Sequence, residues 1–275
     1  MSTIALIQLV SGASVEANLE QVQYWMQQAC SQFSCDLVVL PENFACMGYQ
    51  ETDKCDVAED FGEGPIQDFL MRLSKKLGVW IVAGTLPIKT NNPKKIRAAC
   101  LVYDEQGICK ARYDKMHLFD VHVTNDAVYR ESATIEPGDA AVVVETPIGC
   151  IGLSVCYDLR FPPLYRHLVQ QGAELFTVPA AFTASTGKVH WEVLLRARAI
   201  ENLAYVLASN QGGTHMNKRQ TYGHSMLVDP WGRVIQQLQE GPGVCVHTID
   251  LNEVRQIRQE FPCNEHHRFG VSYDR

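Results

Sequence analysis

Apolar positions recur along this chain with two alternating periods. Residues 3–9, Thr-Ile-Ala-Leu-Ile-Gln-Leu, form a run of strand length. Over 15–32, Val15, Leu19, Val22, Trp25 and Met26 share one face of a predicted helix. A short strand over 36–41 stops at Pro41. Next come a helix over 65–76, with Pro65 in its first turn, and a strand over 79–85. Segments 97–103 and 108–113 flank Asp104-Glu-Gln-Gly107, a hairpin signal, so the fourth and fifth strands are expected to be antiparallel.

The second half repeats the theme. Residues 140–145 and 148–156 pair around Thr146-Pro147, and a helix starts at Pro162. A strand over 174–179 precedes a helix over 189–202, with Trp191, Leu194, Leu195 and Ala199 facing inward. A strand over 205–210 is followed by a hairpin, 222–228 with 234–238, turning at Asp229-Pro-Trp-Gly232. A strand over 244–249 and a helix over 251–260 close the pattern. Strands this apolar need cover on both faces. The reading is therefore one α/β domain over 1–275 with two mixed sheets and helices on the outer faces.

Two stretches break the periodicity. Residues 46–64 are polar and hold Gly48, Gly62 and Gly64, a loop suited to rim a pocket. Residues 114–139 hold Lys115, His117, Asp120, His122, Arg130 and Glu131, and a loop of that length is usually functional.

Composition narrows the classes. The 275 residues are 46% hydrophobic and 20% charged, which fits a soluble globular protein with a sizeable core. Lys and Arg number 24 against 31 Asp and Glu, a formal charge of -7. That argues against nucleic acid or an anionic membrane as partner, and leaves room for a local basic pocket. No apolar run reaches the ~18–20 residues of a membrane span. Ten cysteines without a Cys-x-x-Cys pair, in a chain that opens directly into a strand, point to a reducing, cytoplasmic setting rather than to disulfides or zinc. His266-His267 lacks further ligands at metal spacing, so no metal is expected.

The chemistry gathers around residues 148–163. Cys156 follows a β-branched strand and precedes Pro162-Pro163 and a helix, so its thiol sits on a sharp turn at a strand's carboxyl end. Free N–H groups in such a turn, that of Tyr157 above all, can hold an oxyanion. Glu42 also follows a core strand. A thiol becomes nucleophilic only as thiolate, so it needs a base or positive neighbours. Glu42 can accept its proton, Lys115 can stabilise developing charge, and Glu131 can orient the lysine or a water. Each has a bland reading: a buried cysteine acting as a small hydrophobe, a loop glutamate, solvated surface charges. Arg160 is the best carboxylate reader, with an ion pair to Asp158 as the structural alternative.

Leu40-Pro-Glu42-Asn43, Tyr113-Asp-Lys115-Met-His117-Leu-Phe119, Arg130-Glu131-Ser132 and Cys156-Tyr-Asp-Leu-Arg160-Phe-Pro162 resemble, in order, the motifs of the nitrilase or carbon–nitrogen hydrolase superfamily. The resemblance runs from the first strand to about Gly270. It implies a four-layer α-β-β-α sandwich, dimerised through helices. It also implies catalysis by Glu42, Lys115, Cys156 and Glu131 without a cofactor. The stretches 184–201 and 222–232 are similar to the branch that holds deaminated-glutathione amidases and ω-amidases. That branch implies a small 2-oxo acid amide as substrate, contacted by Arg160, Phe182, Thr186 and Tyr157. The expected reaction is hydrolysis of deaminated glutathione to 2-oxoglutarate and cysteinylglycine through a thioester, a metabolite repair. The rivals are an ω-amidase acting on 2-oxoglutaramate or 2-oxosuccinamate, and a non-catalytic binding protein of the same fold.

Overall fold

The first sheet grows from the amino terminus. In the computed structural model, which describes residues 1–122, 128–266 and 268–269, β1 (Ser2–Gln8) leads through α1 (Val15–Phe33) to β2 (Leu37–Val39), parallel to it. Ser14 caps α1 by accepting the Ala17 N–H at 3.3 Å. After α2 (Asp53–Asp56) and α3 (Pro65–Leu77), β3 (Trp80–Val82) adds parallel to β2. β4 (Leu86–Lys89), β5 (Ile96–Tyr103) and β6 (Cys109–Asp114) add antiparallel, and β5 pairs with β3, β4 and β6. β7 (Asp120–His122) and β8 (Val128–Arg130) form a separate ribbon.

The second sheet begins with the antiparallel pair β9 (Val143–Thr146) and β10 (Gly149–Leu153). α4 (Pro162–Gln170) leads to β11 (Leu175–Thr177), and α5 (Ala184–Asn202) to β12 (Tyr205–Ala208). β10, β11 and β12 run parallel, echoing β1, β2 and β3. β13 (Met226–Val228) and β14 (Val234–Gln237) complete this sheet antiparallel. β15 (Gly243–Ile249) returns to the first sheet beside β1, and α6 (Leu251–Glu260) follows.

Burial on both faces explains the continuous apolar strands. In β1, Ala5 and Ile7 face Val22, Met26, Ile66 and Leu70 of α1 and α3, while Ile4 and Leu6 join Ile151 and Leu153 of β10 between the sheets. α4 and α5 cover the far face of the second sheet with Leu164, Leu168, Trp191 and Leu195. The order of layers is α-β-β-α, as the sequence implied.

Several boundaries differ from the periodicity. The strand expected over 148–156 ends at Leu153: the Val155 N–H donates to the Asp158 carboxylate at 2.8 Å, while the Ser154 and Cys156 N–H groups still donate to the Thr177 and Pro179 carbonyls at 3.2 and 2.8 Å. α5 starts at Ala184, ahead of the apolar pattern, with the Gly187 N–H donating to the Thr183 carbonyl at 2.8 Å. The strand expected over 222–228 shortens to Met226–Val228, since Gly223 and His224 both take left-handed backbone (φ 68° and 55°). β4, α2, β7 and β8 sit where no period was visible. Residues 123–127 of the long polar loop, and His267 of the histidine pair, lie outside the described residues.

Candidate active site

Three strand ends and a 3-10 turn deliver the four expected side chains to one place. Glu42 stands three residues beyond β2, Cys156 three beyond β10, Lys115 directly after β6, and Glu131 opens a 3-10 turn, Glu131–Ala133. Lys115 is the hub, only 1% exposed. Its Nζ donates to Glu42 Oε1 at 2.8 Å and to both Glu131 oxygens at 2.8 and 2.9 Å. Glu131 also accepts the Phe119 N–H at 2.6 Å, and Glu42 Oε2 accepts the Ala181 N–H at 2.8 Å. The Cys156 thiol faces the Glu42 carboxylate closely enough for each to shift the other's ionisation.

The nucleophile's backbone is held in an uncommon state. Cys156 has φ 46°, the left-handed region, and its N–H donates to the Pro179 carbonyl at 2.8 Å. Among the described residues the next amide, Tyr157 N–H, has no protein acceptor, which leaves it available to a ligand. Asp158, fully buried, braces this turn against the lysine segment. It accepts the Val155 N–H at 2.8 Å, the Tyr113 hydroxyl at 2.7 Å, the His117 N–H at 3.1 Å and His117 Nδ1 at 2.7 Å. Gln211 does the same for Glu42, donating to its carbonyl at 3.0 Å and to Ser11 Oγ at 2.8 Å.

Electrostatics decide the resting protonation. Burial would raise the Glu42 carboxyl, but the Lys115 charge and hydrogen bond outweigh it and hold the group below the ordinary carboxylate range. Burial would lower Lys115, but Glu131 and Glu42 hold it well above the ordinary lysine range. Burial, and then the Glu42 charge, push the Cys156 thiol up, with Lys115 only partly opposing. The resting site is therefore thiol, carboxylate and ammonium. Positive neighbours alone do not activate this cysteine, and the base route is the one the geometry offers. His117 is not that base: its ring bonds to Asp158 and stacks on Phe161 with centroids 3.7 Å apart.

The four residues open into a cleft of about 370 Å³. Arg160, Phe182, Thr186 and Tyr157 all line it, as expected. The alternative pairing of Arg160 with Asp158 does not occur, because Asp158 is fully engaged elsewhere. Arg160 lies over the Phe182 and Tyr157 rings, 5.2 and 5.9 Å from their centroids, and reaches His190 Nδ1 at 3.4 Å. Phe182 is fixed by its N–H donating to Asn210 at 3.0 Å, and Thr186 by a 2.7 Å hydroxyl contact with Thr183. Sequence reasoning missed Glu51, Lys54, Asn217 and Arg219, which also line the cleft. The polar 46–64 loop signalled the first two; 211–221, between two strands, carried no signal. Six basic and three acidic side chains line a cleft in a chain of net charge -7, so the site favours an anionic ligand. Among the described residues no three His, Cys, Asp or Glu side chains group as metal ligands, and no helix is long and apolar enough to cross a membrane.

A thiol, two carboxylates and an ammonium at one end of an α-β-β-α sandwich fit a cysteine hydrolase whose base is a carboxylate, not an imidazole. The carbon–nitrogen hydrolase family profile matches residues 3–259, and the chain belongs to that family. It is 42% identical over 273 residues to the deaminated glutathione amidase of Yersinia enterocolitica, covering 98% of this chain and 94% of that protein. With the deaminated glutathione amidase of Synechocystis it is 41% identical over 269 residues, covering 96% of this chain and 97% of that protein. The crystal structure of the C. elegans NitFhit protein superposes with TM-score 0.91 at 38% identity, over 97% of this chain and 65% of that longer one.

Proposed function

We propose that this protein is an amidase that hydrolyses deaminated glutathione to 2-oxoglutarate and cysteinylglycine. The observation that carries the reading is the buried Glu42–Lys115–Glu131 network against the Cys156 thiol, opening into a cationic cleft. The curated relatives' name supplies the substrate, a dianion that suits the excess of basic side chains.

The chemistry follows from the resting charges. Cys156 Sγ attacks the amide carbonyl carbon while Glu42 takes the thiol proton. The Lys115 ammonium and the Tyr157 N–H receive the oxyanion. Glu42 then passes its proton to the departing amine as the C–N bond breaks, leaving a thioester on Cys156. Water attacks that thioester, Glu42 removes its proton, and the C–S bond breaks to restore the thiol. Glu131 keeps Lys115 aimed through two hydrogen bonds. Arg160, over Phe182 and lining the same cleft as Thr186, binds the 2-oxo acid carboxylate.

Residues from 42 to 219 line the cleft, which supports one catalytic unit across 1–275. Val189, Val193 and Ile200 on the outer face of α5 are 60%, 66% and 47% exposed, and Trp231 and Phe261 lie exposed as well. A second copy covering this face would make the working form a homodimer. Ten free thiols suit a reducing cytosol, where a transaminase side product would arise.

Competition between deaminated glutathione and 2-oxoglutaramate tests the reading, because the two share the acyl half. A higher kcat/KM for the peptide supports it. Preference for the small amide makes the protein an ω-amidase, and turnover of neither overturns both.

A further inference from the structure

The excess positive charge of the cleft does not come from the catalytic network, where two glutamates face one lysine, and is not confined to Arg160. Lys54, on α2, is only 7% exposed, and its Nζ donates to Glu51 Oε2 at 2.8 Å. Arg219 faces the same glutamate, with its guanidinium 3.7 Å from Glu51 Oε1. Two cations thus share one carboxylate, which they hold down at about 2. Taken together these three side chains carry one net positive charge, and the Arg219 charge also reaches Glu42, which it helps to hold down. Arg219 is placed rather than mobile. It donates to the Ala181 carbonyl at 3.0 Å and lies 5.4 Å over the Tyr129 ring. Its buried Nε has no protein acceptor among the described residues.

The loops that carry these side chains are bolted together. Thr214 bridges Gln220, and the His215 N–H donates to the Arg219 carbonyl at 2.9 Å, closing a tight hairpin. His215 anchors its base, with Nδ1 on the Ser11 carbonyl at 2.9 Å and Nε2 on Thr221 at 2.8 Å. Asn217 Nδ2 donates to the Gly48 carbonyl at 3.0 Å, tying this hairpin to the 46–64 loop. Asp53 orders that loop by accepting the Tyr49 and Gln50 N–H groups at 2.7 and 3.1 Å. A preorganised wall with surplus charge has the character of a binding subsite rather than a solvated surface.

We infer that Lys54 and Arg219 form a second carboxylate subsite, which reads the free carboxylate at the peptide end of the substrate and so sets the preference for a peptide amide over a small one. This rests on the amidase reading above. That substrate carries one carboxylate beside its keto group and another at its glycine end. Arg160 serves the first, and the Lys54–Arg219 pair serves the second. 2-Oxoglutaramate lacks the second carboxylate and cannot use the pair.

The test crosses two variants with three substrates. Lys54→Gln and Arg219→Gln are assayed on deaminated glutathione, on its C-terminal carboxamide, and on 2-oxoglutaramate. Lys54→Gln is the cleaner change, because Arg219 also holds the Ala181 peptide whose N–H binds Glu42. For each variant kcat/KM should fall on the free acid about tenfold further than on 2-oxoglutaramate, as expected for a lost charged hydrogen bond. Wild type should disfavour the carboxamide by a similar factor, and the variants should no longer tell acid from carboxamide. Equal losses on all three substrates, or undiminished discrimination against the carboxamide, overturn the inference while leaving the amidase reading intact. A wild type that turns over neither peptide nor small amide overturns the amidase reading, and the inference falls with it.

Discussion

Replacing Lys115 by methionine separates the electrostatic account from a purely structural one. The ammonium sits 2.8 Å from each of two glutamates and is almost fully buried. Methionine fills much of the space but leaves Glu42 and Glu131 facing one another without a cation. Breaking a buried ion pair by removing one partner costs about 3–5 kcal/mol. That is a large part of an ordinary domain's stability of about 5–15 kcal/mol, so the variant should fold but melt early. The pH dependence carries the sharper signature. In wild type Glu42 is held below its ordinary range, so its contribution is present above pH ~4.3 and fades as pH falls through the folded-state value. Lys115 is held above its range, so its contribution is present below pH ~10.4 and is lost only as pH rises through the folded-state value. Without the lysine, burial pushes the Glu42 carboxyl up instead, and the folded variant binds a proton more readily than its unfolded chain. Its stability then rises as pH falls, opposite to wild type. Urea unfolding at pH 5 and pH 8 should show the gap between the two proteins narrowing towards acid. The rate should fall by about 10²–10³, the cost of one oxyanion donor, and the acid limb of kcat/KM should move towards neutrality. A stability gap constant between the two pH values, with an unmoved acid limb, would refute this picture of the site.

Cys156→Ala should abolish hydrolysis while leaving the urea midpoint near wild type, and turnover at the wild-type rate would sink the thioester mechanism. The raised Cys156 thiol predicts slow iodoacetamide labelling of the resting site at pH 7 that accelerates with pH, as followed by mass spectrometry of the labelled peptide. Asp158→Asn turns an acceptor towards donors; it should cost about 1–3 kcal/mol in urea and lower kcat more than it raises KM. Gly84 has φ +48° and a Cβ there would run into the Pro41 carbonyl, next to Glu42. Gly84→Ala should therefore cost at least about 1–3 kcal/mol in thermal unfolding and depress kcat. Val193→Asp on α5 should yield monomers in sedimentation velocity, and an unchanged mass would remove the proposed interface.

The elements that periodicity captured are those whose burial is one-sided or complete over several residues. α1, α3, β1, β5 and the hairpin at Asp104–Gly107 stand close to where the apolar pattern put them. Short elements at the site were not legible, because hydrogen bonds rather than hydrophobic faces shape them. α2 is four residues long, and β7 and β8 three each, too short to show a period. Glu42 and Cys156 could be found because each follows a core strand, and the open ends of such strands concentrate chemistry. Lys115 and Glu131 were visible as charges in a long polar loop, but only the motif resemblance set them above its other charges, since nothing in a polar loop announces which charge will be buried. The Arg160 question needed coordinates: only the saturation of Asp158 by four donors shows that the guanidinium is not spent on it. Arg219 was invisible for a similar reason. Its importance comes from a neighbour 168 positions away, Glu51, that no local pattern connects to it.

The resting charges also explain why one carboxylate can serve every proton transfer. If Cys156 rested as thiolate, the site would bury two glutamates and a sulfur anion around a single ammonium. The geometry avoids that by keeping the proton on sulfur until an electrophile arrives. When Glu42 accepts that proton, it loses its charge, and the Lys115 charge it had shared turns to the new anion, the attacking sulfur and then the oxyanion. Glu131 holds the lysine by two hydrogen bonds, so the ammonium need not move as its partner changes. Charge migrates over hydrogen-bond distances inside a dry, prearranged site, where little reorganisation opposes it. The second glutamate is what makes the first one free to leave its ion pair. Glu131→Gln should therefore lower kcat although the residue never touches sulfur. It should also shift the acid limb of kcat/KM downward, because Lys115 would then fall entirely to Glu42. An acid limb that stays in place would show that the two glutamates do not share the lysine.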